Sequence, residues 1–136
     1  MVTTKAYRIS TDPDPFEQFK IALGYRVDNL IFLSGQAAVN ETGAIVGIND
    51  FDAQAEQTFK NIKRVLETAG SGLDKIIKVT IYLTDMGNFP KILELRERWF
   101  SKPYPADTIV EVKALGLPEL MIEIEAIALA NGEIIG

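Results

Sequence analysis

Apolar residues recur along this chain with two periods, and the changes of period mark its elements. Residues 20–27 alternate loosely and run into Asp28-Asn29, a tight-turn pair. Leu30-Ile31-Phe32-Leu33-Ser34 is a short apolar run of the kind found in buried strands, ending at Gly35. Asn40-Glu41-Thr42-Gly43 reads as a turn and residues 44–47 as a third short strand. The period then changes. Phe51, Ala55, Phe59, Ile62, Leu66 and Ala69 recur at spacings of three and four, with Asn49 or Asp50 to cap the helix and Gly70 to stop it. Residues 75–83 return to alternation, with Ile77, Val79, Ile81 and Leu83 on one face and Lys78, Thr80 and Tyr82 on the other. Phe89, Ile92, Leu93, Arg96, Trp99 and Phe100 trace a second helix that tolerates Pro90 in its first turn and ends before Pro103 and Pro105. Residues 108–114 and 120–130 are two further strands, and Asn131-Gly132 is a closing turn.

The predicted order is three strands, a helix, a strand, a helix and two strands. It is an α+β arrangement in one domain spanning residues 1–136, with no repeat, low-complexity tract or linker. Both helices can cover one face of a single sheet. The other face still carries apolar side chains, and burial in an oligomer is the simplest way to keep them dry.

Composition narrows the chemistry. The chain has no cysteine and no histidine. That removes thiolate nucleophiles and disulfides, and with them the common zinc ligands and the usual general base near neutral pH. Catalysis would have to use carboxylates, hydroxyls, Lys, Arg, Tyr, backbone amides or water. A net charge of −5 disfavours a nucleic-acid partner, and Lys60, Lys63 and Arg64 read as a solvated helix face. No apolar run approaches the roughly 20 residues of a membrane span. Met1-Val2-Thr3-Thr4-Lys5 has no signal-peptide character, so the expectation is a cytoplasmic protein without a membrane partner.

The C-terminal third carries a resemblance. Pro105-Ala106-Asp107-Thr108-Ile109-Val110-Glu111-Val112, followed by Ile122-Glu123-Ile124-Glu125-Ala126-Ile127-Ala128, is similar to the signature of the Rid (reactive intermediate deaminase, YjgF-type) family. Ser34-Gly35-Gln36, the helix from Asn61-Ile62 to Ala69-Gly70, and the stretch from Val79 to Asp85 agree in order and spacing. The resemblance covers nearly the whole chain from about Lys20 onward. It implies a chorismate-mutase-like homotrimer whose sheets form a central barrel, with three clefts between subunits. It also implies hydrolysis of enamines and imines made from amino acids to ammonia and a 2-keto acid, with no metal or organic cofactor. By the same resemblance Glu123 positions the attacking water, and Ser34, Gly35 and Thr108 belong to the cleft.

Departures from the family pattern concern the ligand. Asp107 stands where the family has a carboxylate-binding arginine, replacing a cationic clamp by a group that repels carboxylates. Ile21 stands at a pocket tyrosine and Leu93 at a common asparagine. Gly116 is a one-residue insertion. From pattern alone, Asp107 reads as a turn residue at a strand entry, and Glu123 and Glu125 as a solvent-facing alternation. Trp99 and Phe100 fit a core, and Arg96 or Arg98 could supply a substitute cation. Ser34 lacks a histidine to activate it. If Asp107 and Glu123 share a cleft, repulsion should raise the pKa of one and give an acid/base pair. Three functions stay open: a deaminase-like hydrolase on a non-standard small molecule, a non-enzymatic small-ligand-binding trimer, and the endoribonuclease or translation-inhibitor role this family is often credited with.

Overall fold

A computed structural model describes residues 3–136, so the first two residues of the N-terminal stretch read for a targeting signal lie outside the described residues. Strands β1 (Ala6–Ile9), β2 (Gly24–Val27), β3 (Leu30–Leu33) and β4 (Gln36–Ala37) precede helix α1 (Phe51–Thr68). Strand β5 (Ile76–Leu83), helix α2 (Phe89–Trp99), and strands β6 (Ala106–Glu111) and β7 (Ile122–Leu129) complete the order. The strands make one mixed sheet in the order β1-β2-β3-β7-β5-β6, with β4 also paired to β7. Among the described residues only β5 and β6 run parallel, joined through α2.

Several details differ from the sequence-based expectation, among them a short extra strand at Gln36–Ala37 and a sixth strand that runs Ala106–Glu111 rather than over residues 108–114. A strand at Ala6–Ile9 pairs along β2, anchored by buried Ile9 opposite Gly24. The strand expected at residues 20–27 begins only at Gly24, because a 3-10 turn at Glu17–Phe19 leaves Lys20 in the left-handed region (φ 63°). The strand expected at residues 44–47 reduces to one bridge between Val39 and Ile45. There the Asn40 carboxamide oxygen accepts from the N–H groups of Thr42 and Ala44 and holds a turn instead of a ladder.

α1 begins where Asp50 accepts a hydrogen bond from the Ala53 N–H (3.1 Å). It ends in a Schellman turn, with Ser71 N–H donating to Leu66 and Gly70 N–H to Glu67 while Gly70 takes φ 81°. Its face of Ala55, Phe59, Ile62 and Leu66 packs with Ile122, Ile124, Ala126 and Ala128 of β7 and with Val79, Ile81 and Leu83 of β5. α2 adds Ile92 to this core, and Trp99 stacks on Phe59 at 5.3 Å between centroids. Both helices therefore cover one sheet face. The opposite face is open in the single chain and presents Tyr25 (44% exposed), Leu30 (36%) and Phe32 (42%). Among the described residues no helix is long and apolar enough to cross a membrane.

Candidate functional site

A cleft of about 350 Å³ opens where β4 and the segment before β7 meet the loop that precedes β2. Phe16, Phe19, Ile21, Val39, Leu117 and Leu120 give it apolar walls, and Ser34, Gly35 and Glu123 give it polar groups. Buried polar residues of α1 hold those walls. Asn61 donates to the carbonyls of Ala37 (2.8 Å) and Val39 (2.7 Å). Gln54, fully buried, donates to the Glu119 carbonyl (2.9 Å) and accepts from the Met121 N–H (2.8 Å), fixing both sides of Leu120. Each such bond satisfies a group that would be costly to bury unpaired, so the helix sets the cleft's shape as well as filling the core.

Glu123 is the only ionisable side chain on this cleft among the described residues. Its carboxylate lies so close to Gly35 that a Cβ at residue 35 would come within 2.6 Å of Oε2. Any larger residue there would push the Glu123 carboxyl from its present seat. Burial raises the Glu123 pKa above its ordinary value of 4.5, and the neighbouring charge of Glu125 raises it further. Glu125 is held in turn by the hydroxyl of Tyr82, which donates to Oε1. The Gly35 N–H donates to no acceptor among the described residues, leaving a backbone donor beside the carboxyl. Ser34 is otherwise engaged, since its hydroxyl donates to the Ala22 carbonyl at 2.6 Å. That bond holds the strand end rather than preparing a nucleophile.

The site residues inferred from sequence divide between separate places. Ile21, Ser34, Gly35 and Glu123 meet in this cleft. Asp107 does not meet Glu123 within the chain. Its register partner is Val79, on the helix-covered face, whereas Glu123 pairs with Tyr82 on the open face. Asp107 instead receives a bidentate ion pair from Arg96 of α2, with Nε donating to Oδ2 and Nη2 to Oδ1, both at 2.9 Å. The two side chains are 24% and 18% exposed and line a second cleft of about 340 Å³ with Phe100, Tyr104 and Pro105. The carboxylate pair expected from sequence is thus not formed within one chain, and Glu123 takes its raised pKa from burial and Glu125 instead. Leu93 is exposed on α2, three residues before Arg96. Thr108 faces the open side, where it accepts from Lys78 Nζ at 2.8 Å.

Sequence reasoning missed the apolar walls from Phe16, Phe19 and Leu117, because they come from short or irregular segments with no period to read, and it placed Leu120 in the last strand rather than on the cleft. Among the described residues no group of three or more acidic side chains gathers in a way that could hold a metal ion.

Comparison with known proteins places this geometry. The family model described as Endoribonuclease L-PSP matches residues 10–130. A RutC family protein of Pyrococcus abyssi is 39% identical over 117 residues, covering 85% of this chain and 89% of its own. Reactive Intermediate Deaminase A, chloroplastic, of Arabidopsis thaliana is 34% identical over 121 residues, covering 88% of this chain and 64% of its own. The crystal structure of RidA from an Antarctic Psychrobacter superposes with a TM-score of 0.82 at 35% identity, covering 90% of this chain and 98% of its own. The chain belongs to the Endoribonuclease L-PSP family, the proteins also known as YjgF or Rid.

Proposed function

We propose that the chain is an enamine/imine deaminase-like hydrolase acting on a small molecule, assembled as a homotrimer whose clefts lie between subunits. The observation that carries the hydrolase reading is Glu123, a half-buried carboxyl seated against Gly35 in an apolar cleft, with burial raising its pKa. Such a group exchanges protons closer to neutral pH than an exposed glutamate, which is what acid/base work without histidine requires. The Arabidopsis relative's name supports the same reading. The exposed Tyr25, Leu30 and Phe32 on the open sheet face support the oligomer, since apolar side chains so grouped gain by burial. In that assembly the Glu123 cleft of one subunit would be completed by the Asp107 side of the next.

The chemistry follows from one carboxyl. Protonated Glu123 gives its proton to the imine nitrogen. Its carboxylate then takes a proton from water as the water oxygen bonds to the imine carbon. The same carboxyl reprotonates nitrogen, the C–N bond breaks, and ammonia leaves. The hydroxyl becomes the carbonyl as its proton returns to Glu123. The Gly35 N–H, which has no acceptor among the described residues, is a backbone donor available to the hydroxyl oxygen of the intermediate on this path.

Ammonia release from enamines and imines generated in situ tests the reading. The protein should accelerate it, and Glu123→Gln should lower that acceleration by about 10²–10⁴-fold with the assembly unchanged. No acceleration by the intact trimer would leave a ligand-binding trimer in its place. The endoribonuclease reading has less support, since net charge −5 opposes a polyanionic substrate.

A further inference from the structure

The Arg96–Asp107 pair has bonding capacity to spare. A guanidinium carries five N–H groups, and Asp107 takes only two of them. The remaining three, both on Nη1 and one on Nη2, donate to nothing among the described residues. Each Asp107 oxygen keeps a lone pair beyond its bond to Arg96. The Phe89 ring flanks the guanidinium at 5.9 Å, and the pair lines its cleft beside Tyr104 and Pro105. The cleft therefore offers fixed donors and acceptors side by side, with a net charge of zero.

That combination discriminates by charge. A ligand carboxylate at the free edge of Arg96 is attracted by the guanidinium and repelled by Asp107 only a few ångströms further on, so the two fields largely cancel. It must still give up its own hydration. A carboxamide gives up far less. Its C=O accepts from the free guanidinium N–H groups while its NH₂ donates to Asp107, matching both halves of the pair. We propose that Arg96, held by Asp107, anchors the far end of the ligand and selects an uncharged carboxamide over a carboxylate. The proposal rests on the deaminase reading of the cleft for its biological sense, though the anchoring itself can be measured without turnover.

The test uses 2-oxobutanamide and 2-oxobutanoate, which share a carbon skeleton, titrated into the full-length chain by NMR or calorimetry. The wild-type chain should bind the amide roughly tenfold more tightly than the acid. Asp107→Asn leaves Arg96 as an uncompensated cation, so it should tighten the acid by about tenfold and change the amide less than about threefold. Adding Arg96→Gln to Asp107→Asn should abolish that gain. Asp107→Ser serves if the asparagine variant does not fold, and the wild-type preference stands as a test alone. Equal or tighter binding of the acid by wild type, no gain for the acid in the Asp107 variants, or saturable binding of neither ligand would overturn the proposal. Turnover separates it from the deaminase reading. If the amide is preferred but its imine releases no extra ammonia, the anchor stands and the deaminase reading fails. If the imino acid is hydrolysed faster than the imino amide, the deaminase reading stands and the anchor fails.

Discussion

The two faces of the sheet are built by the same strands and do different work. Along β7, Ile122, Ile124, Ala126 and Ala128 are buried under α1, while Glu123, Glu125, Ile127 and Leu129 alternate onto the open face. On the covered face a side chain is judged by how well it fills space. On the open face it is judged by what it can bond, which is where Tyr82, Glu123, Glu125 and the Lys78–Thr108 contact lie. The two carboxylates singled out from sequence show the same division. Asp107, on the covered side, is held in an ion pair with Arg96, whereas Glu123, on the open side, has no cation against it among the described residues. Two identical functional groups acquire different chemistry from the parity of their positions on neighbouring strands.

The largest effect that would sharpen this contrast is on the covered face. Ile124 is fully buried in the core, so Ile124→Ala should cost about 2–5 kcal/mol of unfolding free energy through lost burial and the cavity it leaves. Chemical denaturation measures it. A cost well under 1 kcal/mol would mean that this face is less tightly packed than its burial implies.

On the open face the expected effect is on assembly. Burying a phenylalanine contributes about 1.5–3 kcal/mol, and a trimer that covers Phe32 would do so once per subunit. If the proposed trimer buries this face, Phe32→Glu should shift the assembly towards monomer at micromolar concentration while its far-UV circular dichroism persists. Sedimentation velocity reads the outcome. An unchanged trimer would place the interface elsewhere, and a monomeric wild-type protein would remove the assembly altogether.

What the sequence made legible follows the same division. Period alone was enough for α1, β5 and β7, because long elements with one buried face repeat their signal many times. β1 went unread because four residues with only Ile9 buried repeat nothing. In the site, Ile21, Ser34, Gly35 and Glu123, which the family resemblance had grouped, line one cleft of the fold. The side on which Asp107 falls was not local. It depends on the parallel register of β6 against β5, which pairs Asp107 with Val79, and a one-residue slip would have turned it to the open face. The ion pair depends in addition on how α2 crosses above β6, which no pattern within either element encodes.

The smallest predicted effect concerns the coupling between neighbours on the open face. Glu123 has its pKa raised first by burial and then by the charge of Glu125, two residues along the same strand. Glu125→Gln removes the second cause and leaves the first. The amide oxygen of the substituted side chain can still accept from the Tyr82 hydroxyl, so the local geometry should hold. The Glu123 pKa should then fall but stay above 4.5. The consequence for stability has a definite sign. Because the folded chain holds this proton more tightly than the unfolded chain, the contribution of Glu123 is fully present below pH 4.5 and is lost as pH rises through the folded-state pKa. In the variant that loss should be complete at a lower pH, and the acid/base limb of any ammonia-release profile should move the same way. Carbon-detected NMR titration of the glutamate carboxyls follows Glu123 directly, and denaturation across the same pH range follows the linkage. A Glu123 titration unmoved by Glu125→Gln would mean that burial alone sets it, and that the alternation of β7 places Glu125 beside the site without giving it any part in the chemistry.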